Sequence, residues 1–239
     1  MTNNIKKLTI TLTALLTATS AHAQVVTYNG TADIVTDYVF RGISQSDESM
    51  AIQGSFAFEH ESGVHGSIWG SAIDFNNANA GNSEFDLTLG YASNFSKFDL
   101  GYDLGIIHYT YPGSSNSLNY DYTEAYFAVS KEYNQYSFGL GFNYSPEYFG
   151  KSGDFYYVSA SSSVQLSEKL SADVHLGYSD IDNEAAWGTP DYLDWKVGAS
   201  YQLDDRFSVG AAYYDTDLSS SECSDGCEGR VVFNLSASF

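Results

Sequence analysis

Four histidines follow position 23, His60, His65, His108 and His175, in a chain rich in serine. The first chemistry to weigh is therefore nucleophilic catalysis by a Ser–His–acid set. His108, near the loop end of its strand, is the candidate base. No G-x-S-x-G elbow accompanies it, and a histidine among many tyrosines is more often a polar wall residue. The run "SDIDNEAAWGTPD" imitates a calcium loop, with Asp180, Asp182, Glu184 and a twelfth-place Asp191. Its sixth place is Ala185 where the sharp turn wants glycine, and its flanks are strand-like, so a solvated loop is expected. Cys223 and Cys227 are the only cysteines and have no histidine beside them to complete a zinc shell. In an exported chain they are expected to form a disulfide, and closing so short a loop is worth on the order of 2 kcal/mol. Nothing in the sequence calls for a cofactor, a metal or an enzyme.

Charge narrows the field further. Ten Lys plus Arg stand against 30 Asp plus Glu, for a formal charge of −20. Nucleic acid is excluded as a partner by that balance. The acidic residues that share the polar parity of the alternating segments are Asp33, Asp37, Glu59, Asp86, Asp99, Asp103, Asp173 and Asp194, against the cations Arg41 and Lys196. If that parity faces a lumen, the wall is acidic and favours passage of cations.

Those residues need strands to position them. From Gln24 onward the pattern alternates with period two, as in Tyr136, Phe138, Leu140, Phe142 and Tyr144 against Ser137, Gly139, Gly141, Asn143 and Ser145. With 35 Tyr plus Phe and only 3 Pro, composition also favours pleated structure. About twelve strands are expected, at 25–40, 50–60, 63–75, 83–94, 97–110, 120–131, 135–146, 153–166, 169–181, 190–203, 206–216 and 229–239. Short turns alternate strictly with longer loops. The pattern is an up-and-down meander with all tight turns at one end and all long loops at the other.

A soluble sandwich, such as a carbohydrate-binding β-protein, would bury its apolar face against a second sheet and show more varied connections. A transmembrane β-barrel instead turns that face to lipid and closes the antiparallel sheet, so every backbone group is paired. Strand length, aromatic strand ends and an even strand count fit the barrel. The last strand, "VVFNLSASF", places Val231, Phe233, Leu235, Ala237 and Phe239 on the lipid side, and an aromatic Phe239 there reads as a barrel assembly signal.

The N-terminus, with Lys6 and Lys7, an apolar stretch from Leu8 to Leu16 and Ala21-His22-Ala23, has the layout of a secretory signal peptide. Cleavage is expected after Ala23, leaving one domain over 24–239. The apolar stretch is shorter than the ~20 residues a bilayer helix needs.

The stretches "TDYVFRGISQSD" (Thr36 to Asp47) and "SGVHGSIWGS" (Ser62 to Ser71), with the terminal strand, resemble the TorF-type porins, conserved hypothetical outer-membrane proteins of Gram-negative bacteria. The resemblance implies a barrel in the bacterial outer membrane with passive transport of small solutes, no catalytic residues, and lipid, lipopolysaccharide and the barrel assembly machinery as partners. A structural or adhesive barrel with a blocked lumen, and a barrel-embedded hydrolase, remain as alternatives. Two readings of Arg41 also stand. It either reaches a lumen carboxylate and holds the first loop at the mouth, with Gly42 allowing a sharp turn, or it is a solvated rim arginine.

Overall fold

The computed structural model describes residues 26–239; the expected signal peptide and its cleavage after Ala23 lie outside the described residues. Twelve strands form one closed antiparallel barrel: β1 (Val26–Val35), β4 (Ala51–His60), β5 (Val64–Ala72), β6 (Ser83–Phe95), β7 (Leu100–Thr110), β8 (Tyr122–Tyr133), β9 (Tyr136–Ser145), β10 (Phe155–Gln165), β11 (Leu170–Ile181), β12 (Tyr192–Gln202), β13 (Phe207–Thr216) and β14 (Arg230–Ser238). Two further strands, β2 (Val39–Phe40) and β3 (Ile43–Ser44), make a separate ribbon. Each barrel strand pairs with its sequence neighbour, and β1 closes on β14 from Thr31↔Ser238 to Val35↔Asn234. Backbone bonds between Gly30 and Phe239, at 2.9 and 3.2 Å, extend that seam to Phe239.

The period-two pattern determines which face each side chain takes. Ile52, Phe56, Leu89, Ile106, Leu140, Leu176, Val197 and Phe233 stand exposed on the outer surface as part of an apolar belt running around the barrel. A belt of that extent, on a sheet without free edges, is the surface a bilayer solvates. The opposite parity points inward, as the hydroxyl–hydroxyl bond of 2.8 Å between Thr31 and Ser55 on paired strands illustrates.

Two departures from simple alternation matter. The first strand is not continuous to residue 40: it ends at Val35, the chain bends at Thr36–Asp37, and the following residues turn into the barrel as the β2–β3 ribbon. The inward face is also not uniformly small or polar. At the loop-bearing end Tyr109, Tyr122, Phe155, Tyr157 and Tyr192 are buried inside the barrel and pack with Tyr148 and the ribbon's Phe40 and Ile43. A barrel this narrow has an interior that side chains can fill, and in its loop-side half they largely do.

Candidate functional site

The site is built around the ribbon's turn. Arg41 (φ 48°) and Gly42 (φ 80°) both adopt left-handed backbone, the requirement of the two-residue hairpin turn that matches strand twist. Glycine is needed at the second position for space as well. A Cβ there would lie 2.5 Å from Thr216 Cγ2 and 2.9 Å from Asp194 Cβ.

The turn delivers Arg41 into the lumen. Its Nη1 and Nη2 donate to Glu124 Oε1 and Oε2, each at 2.8 Å, and Nη1 also donates to the Tyr148 hydroxyl at 3.2 Å. The guanidinium lies 4.4–4.7 Å from the ring centroids of Phe40, Phe155 and Tyr157, a cation–π cage. Glu124 is fully buried and also accepts Asn143 Nδ2 at 2.9 Å. Burial acts to lower the Arg41 pKa, but the surrounding groups, the Glu124 carboxylate foremost with Tyr148 and Tyr109, together hold the guanidinium well above its ordinary value. The pair is therefore a permanent, dry, bidentate tether.

A second set of contacts holds the ribbon from above. Ser44 N donates to Gly226 O at 2.8 Å, and Thr216 Oγ1 donates to Cys227 O at 3.0 Å. Cys223 and Cys227 are joined as a disulfide in that loop. Asp37, buried at the bend, accepts Ser44 Oγ at 2.7 Å, Ser46 Oγ at 2.9 Å and Arg230 Nη1 at 3.0 Å. Arg230 also contacts Glu48 and Glu228, at 3.1 and 3.5 Å.

The remaining sequence candidates sort by partner. Asp103 accepts His65 Nε2 and the Tyr126 hydroxyl, both at 3.0 Å. Asp173 pairs with Lys196 at 2.8 Å. Buried Asp194 accepts the Tyr157 hydroxyl at 3.0 Å, and that hydroxyl lies 2.8 Å from His175 Nε2. Asp33, Glu59 and Asp86 lie on the inward parity of β1, β4 and β6 with no ion pair among the described residues, and one buried Asp86 oxygen has no hydrogen-bond partner.

Asp99 is a correction. The alternation that placed it on the lumen wall runs on into a tight turn, since β7 begins at Leu100; Asp99 sits in that turn with positive φ and a side chain 91% exposed, near Lys131. His108 is set outside the lumen, hydrogen-bonded to Thr123 Oγ1 at 2.9 Å, with no carboxylate among its partners. Asp191 accepts Ile181 N at 2.8 Å and so ties the 182–191 loop to its own strand.

Among the inward charges that sequence reasoning missed are Glu84, Glu124 and Arg230. Each has the polar parity of its strand: Glu84 with Asp86, Glu124 with Tyr126, and Arg230 opposite in parity to Val231 and Phe233. That signal was available.

The filled side leaves space on the other. The aromatic cluster centres on Tyr109, Tyr122, Phe155 and Tyr157 of β7, β8 and β10, while a cavity of about 480 Å³ runs along β12–β14 and β1, past Asp33, Trp69 and Tyr214. A larger cavity of about 790 Å³ occupies the turn-side half, walled by Gly139, Gly141, Ser159, Ser161 and Ser163. Both are lined by Asp173, Lys196 and Ser200, where they adjoin.

No curated protein matches the chain. Several solved structures share its fold at low identity. A structure of the NanC porin is 9% identical with a TM-score of 0.59, covering 89% of this chain and 99% of that one. An outer membrane channel from Pseudomonas putida F1 is 10% identical at 0.52, covering 92% and 99%. Salmonella typhi OmpF in complex with daunomycin is 7% identical at 0.51, covering 90% and 97%. Likeness at this level is a likeness of fold. A family model described as a bacterial protein of unknown function, Gcw_chp, matches residues 17–239, and the chain belongs to that family.

Proposed function

We propose that this protein is an outer-membrane, porin-like channel through which small solutes diffuse passively, with a preference for cations. The fold it shares with porins and outer-membrane channels supports the class, as does the apolar belt. The observation that carries the reading is the pair of adjoining cavities that the aromatic cluster does not fill, one beside the tethered ribbon along β12–β14 and β1 and one on the turn side walled by β8–β12. The TorF-type resemblance belongs with this reading, as do lipid and lipopolysaccharide as surroundings and Phe239 as a signal to the assembly machinery.

Cation preference is argued from pairing. The inward cations Arg41, Lys196 and Arg230 are all engaged by carboxylates, whereas the carboxylates of Asp33 and Glu59 have no ion-pair partner among the described residues. Low-dielectric walls concentrate the field of those unpaired charges. Planar-bilayer recording of the refolded protein tests both parts. Discrete conductance steps with a cation-selective zero-current potential in a salt gradient are expected, and a silent barrel or anion selectivity overturns the reading.

The buried aromatic cluster favours one second reading, a structural or adhesive barrel with a closed lumen. Absence of conductance in the wild type, together with absence in a variant whose ribbon has been released, selects it.

A further inference from the structure

We infer that the 480 Å³ cavity is a binding site for small organic ammonium ions, which deepens the channel reading by naming a class of solute and rests on that reading for its physiological meaning. Its volume lies in the range of small-molecule pockets, which join apolar walls to a few placed polar groups.

The polar groups here are uncommitted acceptors. Asp33 and Gln53 face each other across paired strands, and Asn234 lies opposite Val35 on the other neighbour. Gln53 Nε2 donates to Ser71 Oγ at 3.3 Å, and Asn234 Nδ2 donates to Ser236 Oγ at 2.9 Å. Each amide thus turns one N–H to the wall, and its carbonyl oxygen has no partner among the described residues. Among the described residues the Asp33 carboxylate has no ion-pair partner. The one cation lining the cavity, Lys196, is held 2.8 Å from Asp173.

A cavity offering one free carboxylate and two amide oxygens selects a ligand that is cationic and carries several N–H donors. An anion would meet the unpaired Asp33 carboxylate while the cavity's Lys196 is already held by Asp173, and a neutral alcohol would satisfy one of the three. The rest of the lining supplies an apolar and aromatic wall, from Trp69, Tyr38 and Val39. Indole and phenol faces attract an organic cation and bury its hydrocarbon body. A bare metal ion would leave that wall unused, so the ammonium group should carry an alkyl or aryl substituent.

The test is isothermal titration of the refolded protein in detergent at pH 7 with phenethylammonium, 2-phenylethanol and 3-phenylpropionate. Saturable binding of the ammonium is expected, at least tenfold tighter than the alcohol, with none for the carboxylate. Asp33→Asn should weaken the ammonium tenfold or more and Trp69→Leu severalfold, while Asp99→Asn, in a distant turn, should leave it unchanged. Heat-modifiable gel mobility confirms that each variant is folded. Equal affinity for ammonium and alcohol, or no binding at all, overturns the inference in the wild type alone, whatever the variants do. Full affinity in folded Asp33→Asn overturns it too. Titration needs no ion flow, so a silent barrel that binds the ammonium defeats only the channel reading, and a conducting barrel that does not bind it defeats only this one.

Discussion

Arg41 and Glu124 stand 83 residues apart in sequence and meet inside the barrel through two 2.8 Å hydrogen bonds, with both side chains almost wholly buried. Removing one member of such a pair leaves the other charged and dry, which costs on the order of 3–5 kcal/mol. Arg41→Ala should lower the unfolding midpoint in urea accordingly and raise or destabilise the open-channel current as the ribbon comes loose. Arg41→Lys should recover only part, since a point charge cannot reproduce the fork. The double variant Arg41→Met, Glu124→Leu should regain most of the stability. Wild-type midpoints for Arg41→Ala would mean that the pair holds nothing in place.

Gly42 is constrained twice, by a left-handed backbone and by the close approach of Thr216 and Asp194. Gly42→Ala should therefore loosen the ribbon with Arg41 still present, by an amount on the order of 1–3 kcal/mol for a strained position. Trimming the neighbour with Thr216→Ser should relieve part of the loss. The measurement is a double-mutant cycle on urea midpoints, and strict additivity would show that the crowding is not felt.

These two residues also show where sequence reading stops. The strands are legible because one face meets lipid and the other the lumen, so alternation persists for ten residues at a time. Parity extended through residues 36–40, however, describes a continuation of the first strand that does not exist, because the chain bends at Thr36–Asp37 and Val39–Phe40 belong to the separate ribbon. Arg41 enters the lumen through its turn, and its partner is set by a loop conformation that no local pattern encodes. Asp99 misleads for a related reason. Period two continues through Phe98, Asp99 and Leu100, yet alternation cannot mark where a strand gives way to a tight turn. The tyrosines that fill the loop-side half lie on the inward parity of their strands, but parity does not say whether opposing side chains meet across the barrel.

Asp204 organises one of the tight turns, its Oδ1 accepting Arg206 N at 2.8 Å and Phe207 N at 2.9 Å. Those two backbone donors hold its pKa below the ordinary carboxylate range. A folded pKa lower than the unfolded one gives stabilisation that is complete above about pH 4 and is lost as pH falls through the depressed value. Asp204→Ala should speed exchange of the 206 and 207 amides at pH 7. At pH 2, after correction for intrinsic rates, the difference between wild type and variant should be smaller. A difference that persists undiminished at pH 2 would show that the charged carboxylate is not what orders the turn.

Phe239 extends the closing seam through its backbone bonds to Gly30, and its ring stands on the apolar outer face. Phe239→Ala keeps the seam's hydrogen bonds and removes the aromatic. If the ring serves assembly, folded protein in outer-membrane fractions should drop severalfold while refolding in detergent is nearly unchanged. Equal loss in both settings would make the ring a stability element only.

The acidic wall makes its most specific claim at Asp33. Asp37, Asp103, Asp173 and Asp194 are engaged by Arg230, His65, Lys196 and Tyr157, so neutralising any of them disturbs a partner as well as a charge. Asp33 has no ion-pair partner among the described residues and lines the smaller of the two cavities. The Debye length at physiological salt is about 8 Å, so a single carboxylate there acts on an ion with little screening. Asp33→Asn should move the zero-current potential in a tenfold salt gradient toward the unselective value, with little change in stability. Asp99→Asn, which removes an equal charge from a turn, should leave that potential where it is. If the two variants shift selectivity alike, net charge at the mouth sets the preference, and the mechanism that assigns it to the lumen wall is wrong.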